Sequence, residues 1–163
     1  MFTHRVVKGP VSRPMSQFFG THENRLDAKG RVSVPAAFRA AVKGDVETIS
    51  LILRPSYIAG CIEAWPRAAY QRWQDTLDAL DHFDPKREAL ATLLYSEAWT
   101  VETDGQGRIM IPDELVEYGN LKDAANFMGR GDHFHIWEPD AGAAFRKASR
   151  ALAPEFAPAR GRA

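Results

Sequence analysis

Asp27-Ala-Lys-Gly-Arg-Val-Ser-Val-Pro35 is answered, 77 residues further on, by Asp104-Gly-Gln-Gly-Arg-Ile-Met-Ile-Pro112. Asp, Gly, Arg and Pro coincide, and two further positions exchange Val for Ile. Phe18 falls opposite Tyr95 at the same offset. Trp65-Pro66 resembles Trp137-Glu-Pro139 at a slightly shorter one, so the first copy holds a few extra residues around Lys43 to Thr48. Repetition at this length predicts two copies of one small unit.

The motif has a physical reading at each position. Gly30 and Gly107 can take the positive φ that a tight connection between strands demands. Asp27 and Asp104 can accept backbone amides two or three residues on and hold the turn. Val32 and Val34 alternate with Ser33, and Ile109 and Ile111 with Met110, which reads as a short strand with one buried face. Pro35 and Pro112 suit the first position of a helix. Helical character then follows over residues 36–42 and 113–118. Further strands are predicted at Ile49–Leu53, Cys61–Trp65 and His133–Trp137.

Between the copies, residues 67–80 and 86–98 read as helices, with Trp73, Leu77 and Leu80 on one stripe and Leu90, Leu93 and Leu94 on another. Asp84-Pro85 separates them and supplies a cap for the second. A last helix is predicted around Asp140–Leu152, then a disordered Ala/Pro/Arg-rich tail over Ala153–Ala163. The division that follows is a basic disordered extension (1–17), a first unit (18–66), a helical connection (67–94), a second unit (95–140) and a basic helix with its tail (141–163).

The 163 residues are 45% hydrophobic and 26% charged, which describes a globular chain too short for a (β/α)₈ barrel. No apolar run approaches the roughly 18 residues of a membrane span, and the N-terminal stretch lacks a signal-peptide core. The single cysteine, Cys61, rules out an intrachain disulfide and a multi-cysteine zinc site. A cytoplasmic protein with no membrane partner is expected. The 21 basic and 21 acidic residues cancel, which argues against indiscriminate coating of nucleic acid. The cancellation is uneven: residues 1–17 carry +3, 18–80 carry +1, 81–140 carry −8 and 141–163 carry +4. Arg25, Lys29, Arg31, Arg39 and Lys43 crowd into nineteen residues opposed only by Asp27. Such a cluster is a nucleic-acid footprint or a solvated face.

Phe19-Gly20, Leu26-Asp-x-Lys-Gly-Arg-Val-Ser-Val-Pro-x-x-Phe-Arg39, Leu53-Arg54, the second Asp-x-x-Gly-Arg motif and Gly131-x-His-Phe-x-Ile-Trp137 together resemble the MraZ family over roughly residues 16–140. The resemblance implies an α+β fold, a double-split β-barrel of AbrB swapped-hairpin type built from two internal SpoVT–AbrB repeats, with peripheral helices. Where AbrB-like proteins pair two chains, this chain would pair its own halves. It also implies a nucleoid-associated transcriptional regulator of the division and cell-wall gene cluster. Such a regulator binds short direct repeats in double-stranded promoter DNA as a ring of roughly eight or more subunits, with no cofactor and no small-molecule substrate. Two departures stand out. Position 135 is His where the family commonly has Glu, and the family usually begins just ahead of the Phe-Gly pair, which makes Met15 a candidate start.

A strand–turn–strand ribbon fits the major groove of DNA. Arg31 is the candidate for a bidentate contact to guanine, Lys29 for phosphate or guanine, Gly30 for close backbone approach and Arg25 for phosphate positioning. Asp27, Asp104, Gly107 and Arg108 are read as turn-organising. The competing reading for Arg31 is an internal ion pair with Asp27, repeated by Arg108 and Asp104. On the sequence alone Arg108 matters less for DNA than Arg31, because Gln106 replaces Lys29 and acidic neighbours abound.

Two other classes compete. His133-Phe-His135 has a spacing that puts two imidazoles on one strand face, and a metal-dependent hydrolase would recruit His22, Glu63 or Asp104 as further ligands. A protein-binding, antitoxin-like assembly module would share the fold. Cys61, in a predicted strand, reads as a small buried hydrophobe rather than a nucleophile. The four tryptophans read as core or subunit-contact residues.

Overall fold

The computed structural model describes residues 17–43, 48–156 and 158. The expected basic extension, with the candidate start at Met15, lies outside the described residues apart from Gln17.

The first half runs β1 (Thr21–Arg25), β2 (Arg31–Ser33), α1 (Ala36–Lys43), β3 (Ser50–Pro55), β4 (Ile62–Pro66) and α2 (Arg67–Asp78). A connecting helix α3 (Pro85–Ala91) follows, continued by one π turn at Thr92–Ser96. The second half repeats the first as β5 (Trp99–Glu102), β6 (Arg108–Met110), α4 (Asp113–Tyr118), β7 (Ala124–Gly129), β8 (Phe134–Trp137) and α5 (Pro139–Phe156).

The halves exchange strands. One antiparallel sheet has the order β1-β7-β8-β4-β3-β5, so the first hairpin of each half pairs with the second hairpin of the other. β2 and β6 form a separate two-stranded ribbon. Hydrogen bonding among the described residues does not run unbroken round the strands. The ribbon bridges from β1 to β5 through the Leu26–Val32 bridge and the Asp104 N–H, which donates to the Arg108 carbonyl at 2.8 Å. This is the expected α+β arrangement of two repeats, with a ribbon split from the main sheet.

The ribbon and both short helices cover a core contributed by both halves. Val32, Ile109, Ile111, Phe38 and Leu115 lie against Leu51, Leu53, Ile62, Phe127 and Phe134. Phe18, Phe38 and Phe134 meet with ring centroids 5.0–5.3 Å apart, each ring contributing roughly 1.5–3 kcal/mol by leaving water. A second cluster packs α2, α3 and the π turn on β3 and β4 through Ile52, Trp65, Tyr70, Leu77 and Leu94, and the Tyr70 hydroxyl donates to the Leu94 carbonyl at 2.7 Å.

Several expectations are corrected. Pro35 and Pro112 stand one residue ahead of α1 and α4, where their carbonyls accept the first helical amides, Phe38 and Arg39 in one case and Leu115 and Val116 in the other. The helix expected through residue 98 loosens at Thr92, because Glu97 N–H reaches back five residues to the Thr92 carbonyl. Tyr95, matched to Phe18 in sequence, is half exposed whereas Phe18 is buried. Strand β7 is an addition to the expected set: Ala-Ala-Asn-Phe-Met-Gly is buried on both faces and so shows no alternation. Ala153–Phe156, expected to be disordered, continue α5. Alanine-rich sequence favours the helix, and Pro154, in its last turn, removes only the amide that would have bonded the Arg150 carbonyl.

Candidate nucleic-acid interface

Each turn closes on its aspartate in the same way. Asp27 Oδ1 accepts the amides of Lys29 and Arg31, both at 2.9 Å, while Oδ2 accepts Arg31 Nε at 2.7 Å. Gly30 N–H donates to the Asp27 carbonyl at 3.0 Å and takes φ +81°, which makes a three-residue hairpin loop. Asp104 repeats the set with Gln106 and Arg108 at 2.9, 3.0 and 2.9 Å, and Gly107 takes φ +77°. The amides and the arginine hold both carboxyls below their ordinary range, the Arg31 and Arg108 backbone N–H groups contributing most.

The internal ion pair that competes with a DNA contact is therefore present in both turns. It engages only Nε. The two Nη groups of Arg31, and those of Arg108, have no hydrogen-bond partner among the described residues.

Ribbon register decides where these arginines stand. Arg31 pairs with Met110 and Ser33 with Arg108, so these four side chains share one face, while Val32 and Ile109 point into the core at 1% exposure. The two arginines lie on a diagonal, about 7 Å apart along the strands, or two base-pair rises of B-DNA. From the sequence, the first turn reads as a single tip. Instead the antiparallel pairing puts the two turns at opposite ends of one ribbon.

Strand exchange also redistributes charge. Ile111 N–H donates to the Gly30 carbonyl at 2.8 Å, which brings the start of α4, with exposed Asp113 and Glu114, to the basic first turn. Val34 N–H donates to the Gly107 carbonyl at 3.0 Å, and the Arg39 guanidinium lies over Gly107. Within the basic cluster, Lys29 and Arg31 thus stand at one end of the ribbon and Arg39 at the other. Lys29 is exposed in its loop, and Arg25 is exposed at the end of β1 opposite Ala124. Ser33, Met110 and Arg39 are the neighbours that sequence reasoning does not place here. Alternation along the ribbon marks the first two as outward-facing. Arg39 carries no local signal.

The rival constellation does not assemble. Among the described residues no group of three or more His, Cys, Asp or Glu side chains is placed to hold a metal. His133 stacks on Trp65 at 3.9 Å and pairs with Asp132 at 2.8 Å. His135 is buried, accepts Trp137 Nε1–H on Nδ1 at 3.2 Å, and has its pKa pushed down to about 3 by burial, aided by Arg130 and His133. Glu63 is taken by Arg54 and Trp65. His22 packs edge-on against Phe38, and Asp104 belongs to its turn. The Cys61 thiol is raised to about 12, chiefly by burial. Trp65 and Trp137 are buried, and Trp73 and Trp99 half-buried. No helix among the described residues is long and apolar enough to cross a membrane.

The family described as "MraZ protein, putative antitoxin-like" matches residues 17–93 and again 94–157. The chain is 47% identical over 151 residues to a protein named Transcriptional regulator MraZ from Gluconacetobacter diazotrophicus, an alignment covering 91% of this chain and 96% of that one. The protein of the same name from Gluconobacter oxydans is 45% identical over 148 residues, covering 90% of each. That from Caulobacter vibrioides is 38% identical over 138 residues, covering 85% and 87%. The motif, the repeated turn and these likenesses agree, and the chain belongs to the MraZ family.

Proposed function

We propose that the protein is a DNA-binding transcriptional regulator that reads short direct repeats in the promoter of its division and cell-wall gene cluster as a ring-like homo-oligomer. Residues 18–66 and 95–140 act as its two fused units. The observation that carries this reading is the outward face of the β2–β6 ribbon, with Arg31 and Arg108 each tethered through Nε and offering the Nη edge. Tethering removes part of the ordering cost of binding, and the free edge has the two parallel donors that guanine O6 and N7 accept. Lys29 adds phosphate contact, and Gln106 a polar one. Because both arginines share a face, Arg108 joins Arg31 in the contact instead of serving the turn alone.

A neutral chain places few charges on DNA, so one subunit binds weakly. Several copies on successive repeats multiply affinity through effective concentration. Phe19 and Phe83, 74% and 95% exposed, suit contacts between copies.

The test is selection of genomic DNA fragments by the purified protein, followed by mobility shifts on the enriched sequence. Repeat-bearing promoter fragments are expected, with binding abolished by Arg31→Ala and strongly reduced by Arg108→Ala in folded protein. Retention of no fragment, or equal binding by Arg31→Ala and the unaltered protein, overturns the reading. The first outcome would favour the protein-binding, antitoxin-like alternative.

A further inference from the structure

We propose that the cavity between α2, the β3–β4 connection and α5 is a binding site for a small carboxylate with an apolar or aromatic body. It lies apart from the ribbon and does not rest on the DNA reading. Its volume is about 340 Å³, near the lower bound for small-molecule sites, roughly 300–1,000 Å³. Trp73, Tyr57, Ala59 and Phe145 supply apolar wall, and Ile58 stands almost fully exposed at its edge.

The floor holds a buried cation. Arg54 is 2% exposed and sits in β3 opposite Glu63 of β4. Its Nη2 donates to Glu63 Oε1 at 3.2 Å, while its Nε is buried without a hydrogen-bond partner. The guanidinium carbon lies 4.7 Å from the Trp73 ring centroid, and between 5.3 and 5.6 Å from those of Tyr57, Trp65 and Tyr70. An orphaned buried N–H is costly, more so on a charged group. The Nε is sealed from the cavity, so what a carboxylate entering it meets is the guanidinium's charge, answered among the described residues by Glu63.

The fold does not require this arrangement, because the second half does without it. In the hairpin of β7 and β8, the positions matching Arg54 and Glu63 are Met128 and His135, paired in the same way. One copy of the hairpin thus carries a buried ion pair and the other a neutral pair. His135 itself lines the cavity. Since its Nδ1 accepts the Trp137 indole, its ring proton resides on Nε2, a donor. Arg130 adds a cation at the wall, against the single carboxylate of Glu63. Among the lining side chains two arginines face one carboxylate, with the His135 imidazole neutral and His133 held by Asp132 outside the lining. Donors and net charge both select an anion, and the aromatic walls select the body attached to it.

Isothermal titration calorimetry of the full chain with phenylacetate, 1-naphthoate and hexanoate, each beside its uncharged amide, tests the site. At least one acid is expected to bind saturably with one site per chain and Kd at or below about 1 mM, at least tenfold tighter than its amide. Arg54→Lys, which keeps the charge but not the planar guanidinium, and Ala59→Trp, which fills the space, are each expected to weaken that acid at least tenfold. Their folding is checked by circular dichroism, and Ala59→Trp leaves the Arg54–Glu63 pair intact should Arg54→Lys fail to fold. Binding by none of the three acids, equal binding of acid and amide, or undiminished binding to folded Ala59→Trp overturns the proposal.

Discussion

A Cβ on Gly107 would stand 2.6 Å from Arg39 Nη1, so the second turn is glycine where an arginine from the other half crosses it. Arg39 is anchored there by Nε, which donates to the Val34 carbonyl at 3.1 Å. Two independent penalties attach to Gly107→Ala: the collision and the positive φ, the latter of order 1–3 kcal/mol. Urea unfolding is expected to show a loss at or above that range. Arg39→Ala in the same background should recover the steric part and leave the backbone part, which a double-mutant cycle separates.

Gly30→Ala is expected to cost more than Gly107→Ala. Its Cβ would meet the Ile111 backbone carbonyl at 2.9 Å, and a backbone atom of a residue just past β6, whose own amide donates to the Gly30 carbonyl, cannot swing aside as a guanidinium can. The comparison of urea midpoints for the two variants checks this, and the reverse order would contradict it.

Asp27→Asn should separate turn formation from arginine tethering. The amide oxygen still accepts the Lys29 and Arg31 amides, while the charged partner of Arg31 Nε is removed. The pair is half-exposed, so only a small loss of stability is expected. In mobility shifts, affinity for unrelated DNA should rise as a negative charge leaves, while discrimination for the selected repeat narrows. Lys29→Ala should instead lower affinity for both sequences and make the log–log salt slope shallower by about one, as expected when one phosphate is no longer neutralised.

His135 makes an acid-side prediction with a definite sign. Its folded pKa, about 3, lies below the ordinary 6.5, so between those values the unfolded chain binds a proton that the folded chain does not. Stability is therefore complete above pH 6.5 and declines as pH falls towards 3, by at most about 1.4 kcal/mol per pH unit. Asp27 and Asp104, with carboxyls held low, add their loss only near and below their ordinary value of 3.8. His135→Asn, which retains an acceptor for the Trp137 indole, should flatten the decline between pH 6.5 and 5 in thermal unfolding and leave the more acidic limb.

Phe38→Ala removes a ring that packs on both Phe18 and Phe134 at the centre of the shared core. A loss of about 3–5 kcal/mol is expected, read by urea unfolding. Because both halves contribute to that core, the transition should stay single, with fluorescence and circular dichroism coincident.

What the sequence determined by itself was local. The Asp-x-x-Gly-Arg turns and the Asp84 cap rest on interactions within four residues, and residue identity at fixed spacing encodes those, the alternation of the ribbon strands and the 77-residue repeat directly. The tertiary structure alone decided which half each strand joins, because backbone ladders carry no label for their partner. That choice set Arg39 over Gly107 and α4 beside Gly30. It also put Arg31 and Arg108 on one face, none of which follows from distance along the chain. Strand β7 and the Arg54 cavity stayed hidden for the same reason. A segment buried on both faces loses its alternation, and a lone arginine in the apolar run Leu51-Ile-Leu-Arg54 gains meaning only when Glu63 and Trp73 fold against it.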